Sequence, residues 1–167
     1  MTFSQPVALA AHHHLDDFDC GDVALNGWLG QRARKNESRF SRTYVVADGD
    51  DVRGYYCLAA GSIERQSTPG TLRRNAPDAV PVAVIGRLAV DKNFAGRGIG
   101  TDLLGDALKR CAAVSRTIAI AAVLVQAKNE RAKQFYLSHA RFVEYPDKSK
   151  TLFLPINAIL FHLSDKY

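Results

Sequence analysis

The sequence predicts an α/β fold of mixed type, with one central sheet, part antiparallel and part parallel, flanked by helices. Three observations carry this expectation. Two strand-like stretches flank Asp48-Gly49-Asp50, a hairpin signal that makes them antiparallel neighbours. Two apolar stretches, Val82 to Asp91 and Ile118 to Val125, alternate with helical patterns, the order that lays strands side by side in parallel. The chain has 167 residues, 47% of them apolar, which suits one core and leaves no room for two comfortable domains. Residues 1–167 are therefore expected to form a single domain.

Gln5 to Leu9 reads as an opening strand. Asp22 is placed to cap a helix reaching about Lys35, with Leu25, Trp28 and Leu29 on its buried face. Arg42 to Ala47 and Val52 to Ser62 are the two arms of the hairpin. Glu64 to Pro81 contains Pro69-Gly70, Pro77 and Pro81 and reads as a loop with one short helix. Val82 to Asp91 is a buried strand. Thr101 to Cys111 sets Leu103, Leu104, Ala107, Leu108 and Cys111 on one helix face. Ile118 to Val125 is apolar throughout and reads as a second buried strand. Asn129 caps a helix to about Ser138. Phe142 to Tyr145 and Leu152 to Leu154 read as final strands, and Ile156 to Leu163 as a short helix.

Composition excludes several classes. The apolar fraction argues against disorder. No apolar run reaches the roughly 18 residues that span a bilayer. The N-terminus has no basic segment followed by an apolar stretch, so no signal peptide is expected. Cys20, Cys57 and Cys111 are few, odd in number and far apart, which suits reduced thiols in the cytoplasm. His12, His13 and His14 read as loop residues, because three adjacent side chains do not easily face one ion; no metal site is expected. The net charge of +5 suits a polyanionic partner. Arg32, Arg34, Lys35, Arg39 and Arg42 form one basic cluster, and Arg65, Arg73 and Arg74 a second.

The most informative stretch runs from Arg87 to Leu108. An apolar strand ends at Asp91, glycines follow at 96, 98 and 100, and an amphipathic helix starts directly behind them. Such a loop offers a row of backbone N–H groups without side chains, backed by the positive end of a helix dipole. Its natural ligand is a phosphate or pyrophosphate. It is not a Walker loop, since no Lys-Ser or Lys-Thr follows the glycines. It is not the dinucleotide fingerprint either, because the spacing is Gly-x-Gly-x-Gly and Ile-Ala-Ile-Ala-Ala occupies the region near 120 where an acid belongs.

The spacing resembles the acetyl-coenzyme A loop of the GCN5-related N-acetyltransferases, Gln/Arg-x-x-Gly-x-Gly/Ala. Gly98 and Gly100 match, and Ala95 stands where that pattern has Gln or Arg. The resemblance implies the fold of that family, with strands splaying apart past the loop. It implies that acetyl-CoA is held by Ala95, Gly96, Arg97, Gly98, Ile99, Gly100 and Thr101, and by the strand edge at Leu88, Ala89 and Val90. Pantetheine amides pair there as a pseudo-strand. Asn129 is placed with the cofactor-binding residues. A tyrosine on the helix after the second parallel strand commonly lies near the coenzyme sulfur in this superfamily, which makes Tyr136 the candidate acid. A phenol of pKa about 10 is protonated at neutral pH and can supply a leaving thiolate. Glu64 and Glu130 qualify as a base by neighbourhood only, and no base is assigned.

Further blocks narrow the resemblance. Phe18-Asp19-Cys20-Gly21, Ala24 to Leu29, Ser41 to Val46, Gly54-Tyr55-Tyr56 with Leu58 to Gly61, Arg74 to Pro77, Gly86 to Asp91, Phe135-Tyr136 and Thr151 to Leu154 are similar, in that order, to the acetyltransferase toxins of type II toxin–antitoxin modules, the TacT/AtaT-like group. This implies acetylation of the amino acid on charged tRNA, which blocks translation. It implies Arg73, Arg74 and Arg87 as tRNA contacts, a ribbon–helix–helix antitoxin and a homodimer. After Tyr136 the family commonly reads x-x-x-Gly-Phe, whereas this chain has Leu-Ser-His-Ala-Arg-Phe, so a different turn is expected at Ala140. Two other readings stay open at this point. One is an ordinary acetyltransferase acting on a small amine or protein N-terminus. The other is a non-catalytic module that binds nucleic acid or an antitoxin.

Overall fold

The computed structural model describes residues 2–68, 70–145 and 148–164. Its elements are β1 (Val7–Ala8), α1 (Val23–Gln31), α2 (Ala33–Asn36), β2 (Arg42–Asp48), β3 (Asp51–Ile63), α3 (Gly70–Arg73), β4 (Val80–Val90), α4 (Ile99–Ser115), β5 (Ala122–Gln126), α5 (Glu130–His139), β6 (Val143–Tyr145), β7 (Lys148–Pro155) and α6 (Ile156–Ser164). Short 3-10 turns cover Arg65–Ser67 and Lys92–Phe94. The strands form one mixed sheet in the order β1-β2-β3-β4-β5-β7-β6, as the pattern of strands and helices predicts. By compactness the chain divides into two units, Met1–Ala59 with Gly86–Ala107, and Ala60–Ile85 with Leu108–Tyr167.

In the first unit, β1, β2 and β3 are antiparallel, and Gly49 turns the hairpin with a φ of +61°. The ladder pairs Val46 with Gly54 and Ala47 with Val52, so Arg53 is an extra residue on β3. A bulge of this kind re-aims one side chain and sharpens the local twist. The core gathers Leu9, Leu15, Phe18, Leu29, Ala33, Val45, Val52, Tyr55 and Ala89, with Leu25 and Trp28 packed against it. Asp22 caps α1 as its position implies, its carboxylate accepting from the N–H groups of Ala24 and Leu25 at 2.9 and 3.2 Å. The expected helix to Lys35 is broken at Arg32, whose φ of −118° separates α1 from α2.

In the second unit, β4 and β5 run parallel from Val82–Ile85 against Ala122–Val125, and β7 pairs antiparallel with both β5 and β6. The parallel ladder stops at Ile85, while β4 itself continues to Val90. One expectation is corrected here. The strand read at Ile118 to Val125 begins only at Ala122. Helix α4 runs on to Ser115, and the N–H groups of Thr117 and Ile118 still bond the Val114 carbonyl, which consumes the start of that apolar run and leaves Ile118 67% exposed. A continuous apolar run does not by itself say where a helix lets go. The loop expected from Glu64 to Pro81 holds both a 3-10 turn and α3, and Val80 and Pro81 already belong to β4. Pro69 of that loop lies outside the described residues.

Candidate active site

The residues expected to hold the cofactor lie at the end of β4, in the turn after it and at the head of α4. Gly96 and Gly98 have φ of +79° and +83°, a region where an L side chain is strained. Gly100 is already inside α4 and needs no such freedom. A Cβ at Gly96 or Gly98 would meet no atom within 4 Å, so the space before both glycines is open. Helix α4 starts at Ile99, and its leading N–H groups have no carbonyl one turn back within the helix. The aligned peptide dipoles add a partial positive charge at the same place. An open, exposed loop of this geometry fits a pyrophosphate, and so fits acetyl-CoA. On β4, Ala89 is buried while Leu88 and Val90 are half-buried.

Asp91 holds the turn, and nothing in the sequence marks it as more than a strand end. It is 1% exposed. Its carboxylate accepts from the N–H groups of Asn93 at 3.0 Å and Asp19 at 3.2 Å, while its own N–H bonds the Arg53 carbonyl at 2.8 Å. The bulged Arg53 reaches Asp91 at 3.7 Å and Asp51 at 3.8 Å. Its guanidinium also lies 4.5 Å from the Phe94 ring centroid, and that of Arg97 lies 5.2 Å from the same ring. Phe94 thus ties the charge of the glycine loop to the paired Arg53 beneath it. Asp19 is held by Lys92 at 3.0 Å and by Asn26 at 2.9 Å. The Asn26 amide, the Gly21 N–H and Lys92 lower its carboxyl pKa to about 2.

Gly54 is a second residue whose role only the structure reveals. A Cβ there would lie 2.7 Å from Ile99 Cγ2, 3.0 Å from Leu103 Cδ1 and 3.4 Å from the Ala89 carbonyl oxygen. The missing side chain therefore lets the head of α4 close on the sheet beside Ala89. Arg87, expected at the substrate, lies with its guanidinium 4.4 Å from the Trp28 ring, which stacks in parallel on Tyr55 at 6.0 Å. Burial pushes the Cys57 thiol up despite a hydrogen bond to Arg87.

The second unit holds Tyr136. Asn129 caps α5, its side-chain oxygen accepting from the Ala132 N–H at 2.8 Å. Tyr136 is 6% exposed and meets Phe135 and Phe142 edge to face at 5.4 and 5.6 Å. Lys133, one turn earlier and 7% exposed, pairs with Glu144 of β6 at 3.1 Å. The turn at Ala140 departs from the glycine form as expected. Ala140 is extended, with a φ of −153°, and the His139 ring Nδ1–H donates to the Phe135 carbonyl at 2.8 Å. The ring thus folds back onto the carbonyl four residues earlier, within the last turn of α5. Phe142 still reaches the tyrosine.

Arg73 and Arg74 are exposed, and with Arg65, Gly70 and Asp78 they line a cavity of about 650 Å³ in this unit. Asn75, directly after them, takes a φ of +60°, which asparagine tolerates better than most residues. Among the described residues no group of three His, Cys, Asp or Glu is placed to hold a metal ion. Nor is any described helix long and apolar enough to cross a membrane.

In the mixed sheet, β4 feeds a left-handed glycine turn at the head of α4, an arrangement able to receive an anion. The chain belongs to the acetyltransferase (GNAT) family, whose model matches residues 10–140. It is 38% identical over 136 residues to a tRNA-acetylating toxin of Mycobacterium tuberculosis (strain ATCC 25618 / H37Rv), covering 81% of this chain and 82% of that protein. Two solved structures are close in fold. AtaT complexed with acetyl-methionyl-tRNAfMet superposes with a TM-score of 0.86 at 28% identity, covering 97% of this chain and 99% of that one. A tyrosine-to-phenylalanine mutant of AtaT, bound to the C-terminus of the antitoxin AtaR and acetyl-CoA, superposes with a TM-score of 0.83 at 27% identity, covering 98% and 99%.

Proposed function

We propose that this protein is a toxin acetyltransferase that moves acetyl from acetyl-CoA to the amino group of the amino acid on charged tRNA and so blocks translation. The observation that carries the reading is the open cradle at Gly96–Thr101, held by Asp91, in a chain alike over four-fifths of its length to a protein named for acetylating tRNA. Bound acetyl-CoA supplies the activated thioester. The N–H groups from Gly96 to Thr101, with the Arg97 charge, hold its diphosphate, and the backbone of Leu88, Ala89 and Val90 aligns the pantetheine. Tyr136 keeps a proton on its phenol oxygen and gives it to the leaving sulfur. The amine of an aminoacyl ester is weakly basic and arrives largely unprotonated, and water takes the proton it loses on acylation, so no dedicated base is assigned. Asn129 sets the start of the helix that carries Tyr136.

Arg73 and Arg74, joined by Arg65 around their cavity, meet tRNA phosphates in this reading, as does Arg87. The chain acts as a single domain and a homodimer in the cytoplasm. A ribbon–helix–helix antitoxin wraps it and represses their shared operon.

The test is mass spectrometry of tRNA-linked amino acids after incubation with acetyl-CoA. One or a few aminoacyl-tRNAs become acetylated, and Tyr136→Phe lowers kcat by about 10²–10⁴ while leaving coenzyme A affinity intact. Acetylation of free amines but of no charged tRNA would replace this reading with an ordinary acetyltransferase. Absence of thiol release with every acceptor would leave only a binding module.

A further inference from the structure

The basic cluster between Arg32 and Arg42 lies outside the residues expected to hold the cofactor and outside the Arg73–Arg74 cavity. Its backbone leaves α2 at Asn36, turns through residues 37–40 and enters β2 at Arg42. The Asn36 N–H bonds the Arg32 carbonyl at 3.0 Å, and the Phe40 N–H bonds the Asn36 carbonyl at 2.9 Å. The N–H groups of Arg39 and Ser41 converge on that same carbonyl at 3.2 Å each. Arg32, Lys35, Arg39 and Arg42 are all exposed along this short segment. Arg34 is committed elsewhere, donating to the carbonyls of His13 at 2.6 Å and Ala10 at 3.2 Å. Glu37, the single acid of the segment, accepts from the Thr43 N–H at 2.9 Å.

Phe40 stands in the middle of these cations, 65% exposed, with the Arg39 guanidinium 5.6 Å from its ring centroid. A single exposed ring is ordinary by itself; the cations gathered around this one set it apart. A docked helix would need further apolar anchors three and four residues away. Those positions hold Asn36, Glu37, Thr43 and Tyr44, and Tyr44 sits in strand β2 with its ring stacked on Tyr56. One isolated aromatic face rimmed by cations matches an unpaired base with its flanking phosphates.

We infer that Phe40 is a stacking platform for an unpaired nucleotide of the RNA substrate, with Arg32, Lys35, Arg39 and Arg42 taking the adjoining phosphates. The inference rests on tRNA being the substrate. Its test compares wild type, Phe40→Leu and Phe40→Trp in two assays: filter binding to uncharged tRNA, and steady-state acetylation of an aminoacyl-tRNA. Phe40→Leu weakens tRNA binding and raises KM for tRNA by roughly 5- to 150-fold, the range for loss of one stacked base. Phe40→Trp stays near wild type, since it keeps a π-face, and coenzyme A affinity is the same in all three. Unchanged tRNA affinity in Phe40→Leu overturns the inference, as does a loss in Phe40→Trp equal to that in Phe40→Leu. Weaker self-association of Phe40→Leu on sedimentation, with tRNA binding unaltered, also overturns it and assigns the ring to a second copy of the chain. Tight, Phe40-dependent RNA binding without acetyl transfer supports the platform and strikes only the catalytic reading.

Discussion

Single residues decide whether the cradle can exist. Gly96 and Gly98 supply a backbone path that other residues resist, and Gly54 supplies space. At Gly54 the nearest obstacles are Ile99 Cγ2 and Leu103 Cδ1, at 2.7 and 3.0 Å from a would-be Cβ. Both belong to the first turns of α4, so an added methyl pushes the helix head off the sheet. Gly54→Ala is expected to cost about 1–3 kcal/mol, the usual range for overpacking a tight site. Calorimetric melting will then show a lower Tm. Coenzyme A affinity by titration will fall several-fold, because the N–H row moves with the helix. Unaltered values for both would mean that α4 does not depend on this close approach.

At the scale of elements, the position of Tyr136 is set by how α5 is pinned. Asn129 fixes its first turn, His139 closes its last, and the Lys133–Glu144 pair joins it to β6. The two partners of that pair are unequal. The Lys133 side chain is 9% exposed and that of Glu144 is 48% exposed. Removing the acid leaves a buried ammonium without its partner, whereas replacing the lysine by an apolar chain of like size does not. Glu144→Ala is expected to destabilise by about 1–3 kcal/mol, less than a fully buried pair because water screens the exposed end. Lys133→Met should stay within about 1 kcal/mol. Urea midpoints measure the difference, and the order of the two variants is the point at issue. Glu144→Ala should also lower kcat with little change in KM for acetyl-CoA, since β6 steadies the helix of the tyrosine and not the glycine loop.

For the molecule as a whole, charge governs encounter with substrate. The chain carries a net +5, with basic clusters at 32–42 and 65–74. Each phosphate neutralised releases a counterion, so binding of a duplex falls with salt at a slope of about −0.9 per contact. For three to five contacts this predicts a rise in the KM for aminoacyl-tRNA of roughly 40- to 500-fold between 50 and 200 mM salt. The KM for acetyl-CoA should move far less if, as proposed, backbone N–H groups and one helix terminus hold it. Steady-state kinetics across that salt range checks both.

Much of this was legible in the residues. The hairpin at Gly49, the caps Asp22 and Asn129 and the glycine loop are local signals, written in neighbours a few positions apart, and each appears where the sequence places it. The true start of β5 was not legible, because an apolar run looks the same whether it ends a helix or starts a strand. Nor was the grip of Asp91 on Asp19 and Arg53, since its partners lie far off along the chain. The same holds for the bulge that aims Arg53, the space left at Gly54 and the exposure of Phe40.

By itself the amino-acid order determined the kinds of elements, their sequence along the chain and the glycine loop, because backbone propensity and hydrophobic period act over short stretches. Tertiary structure alone decided which side chains brace that loop, how closely α4 approaches the sheet and which aromatic ring is left facing water. Those outcomes depend on contacts between residues distant in sequence, and such contacts exist only once the sheet has formed.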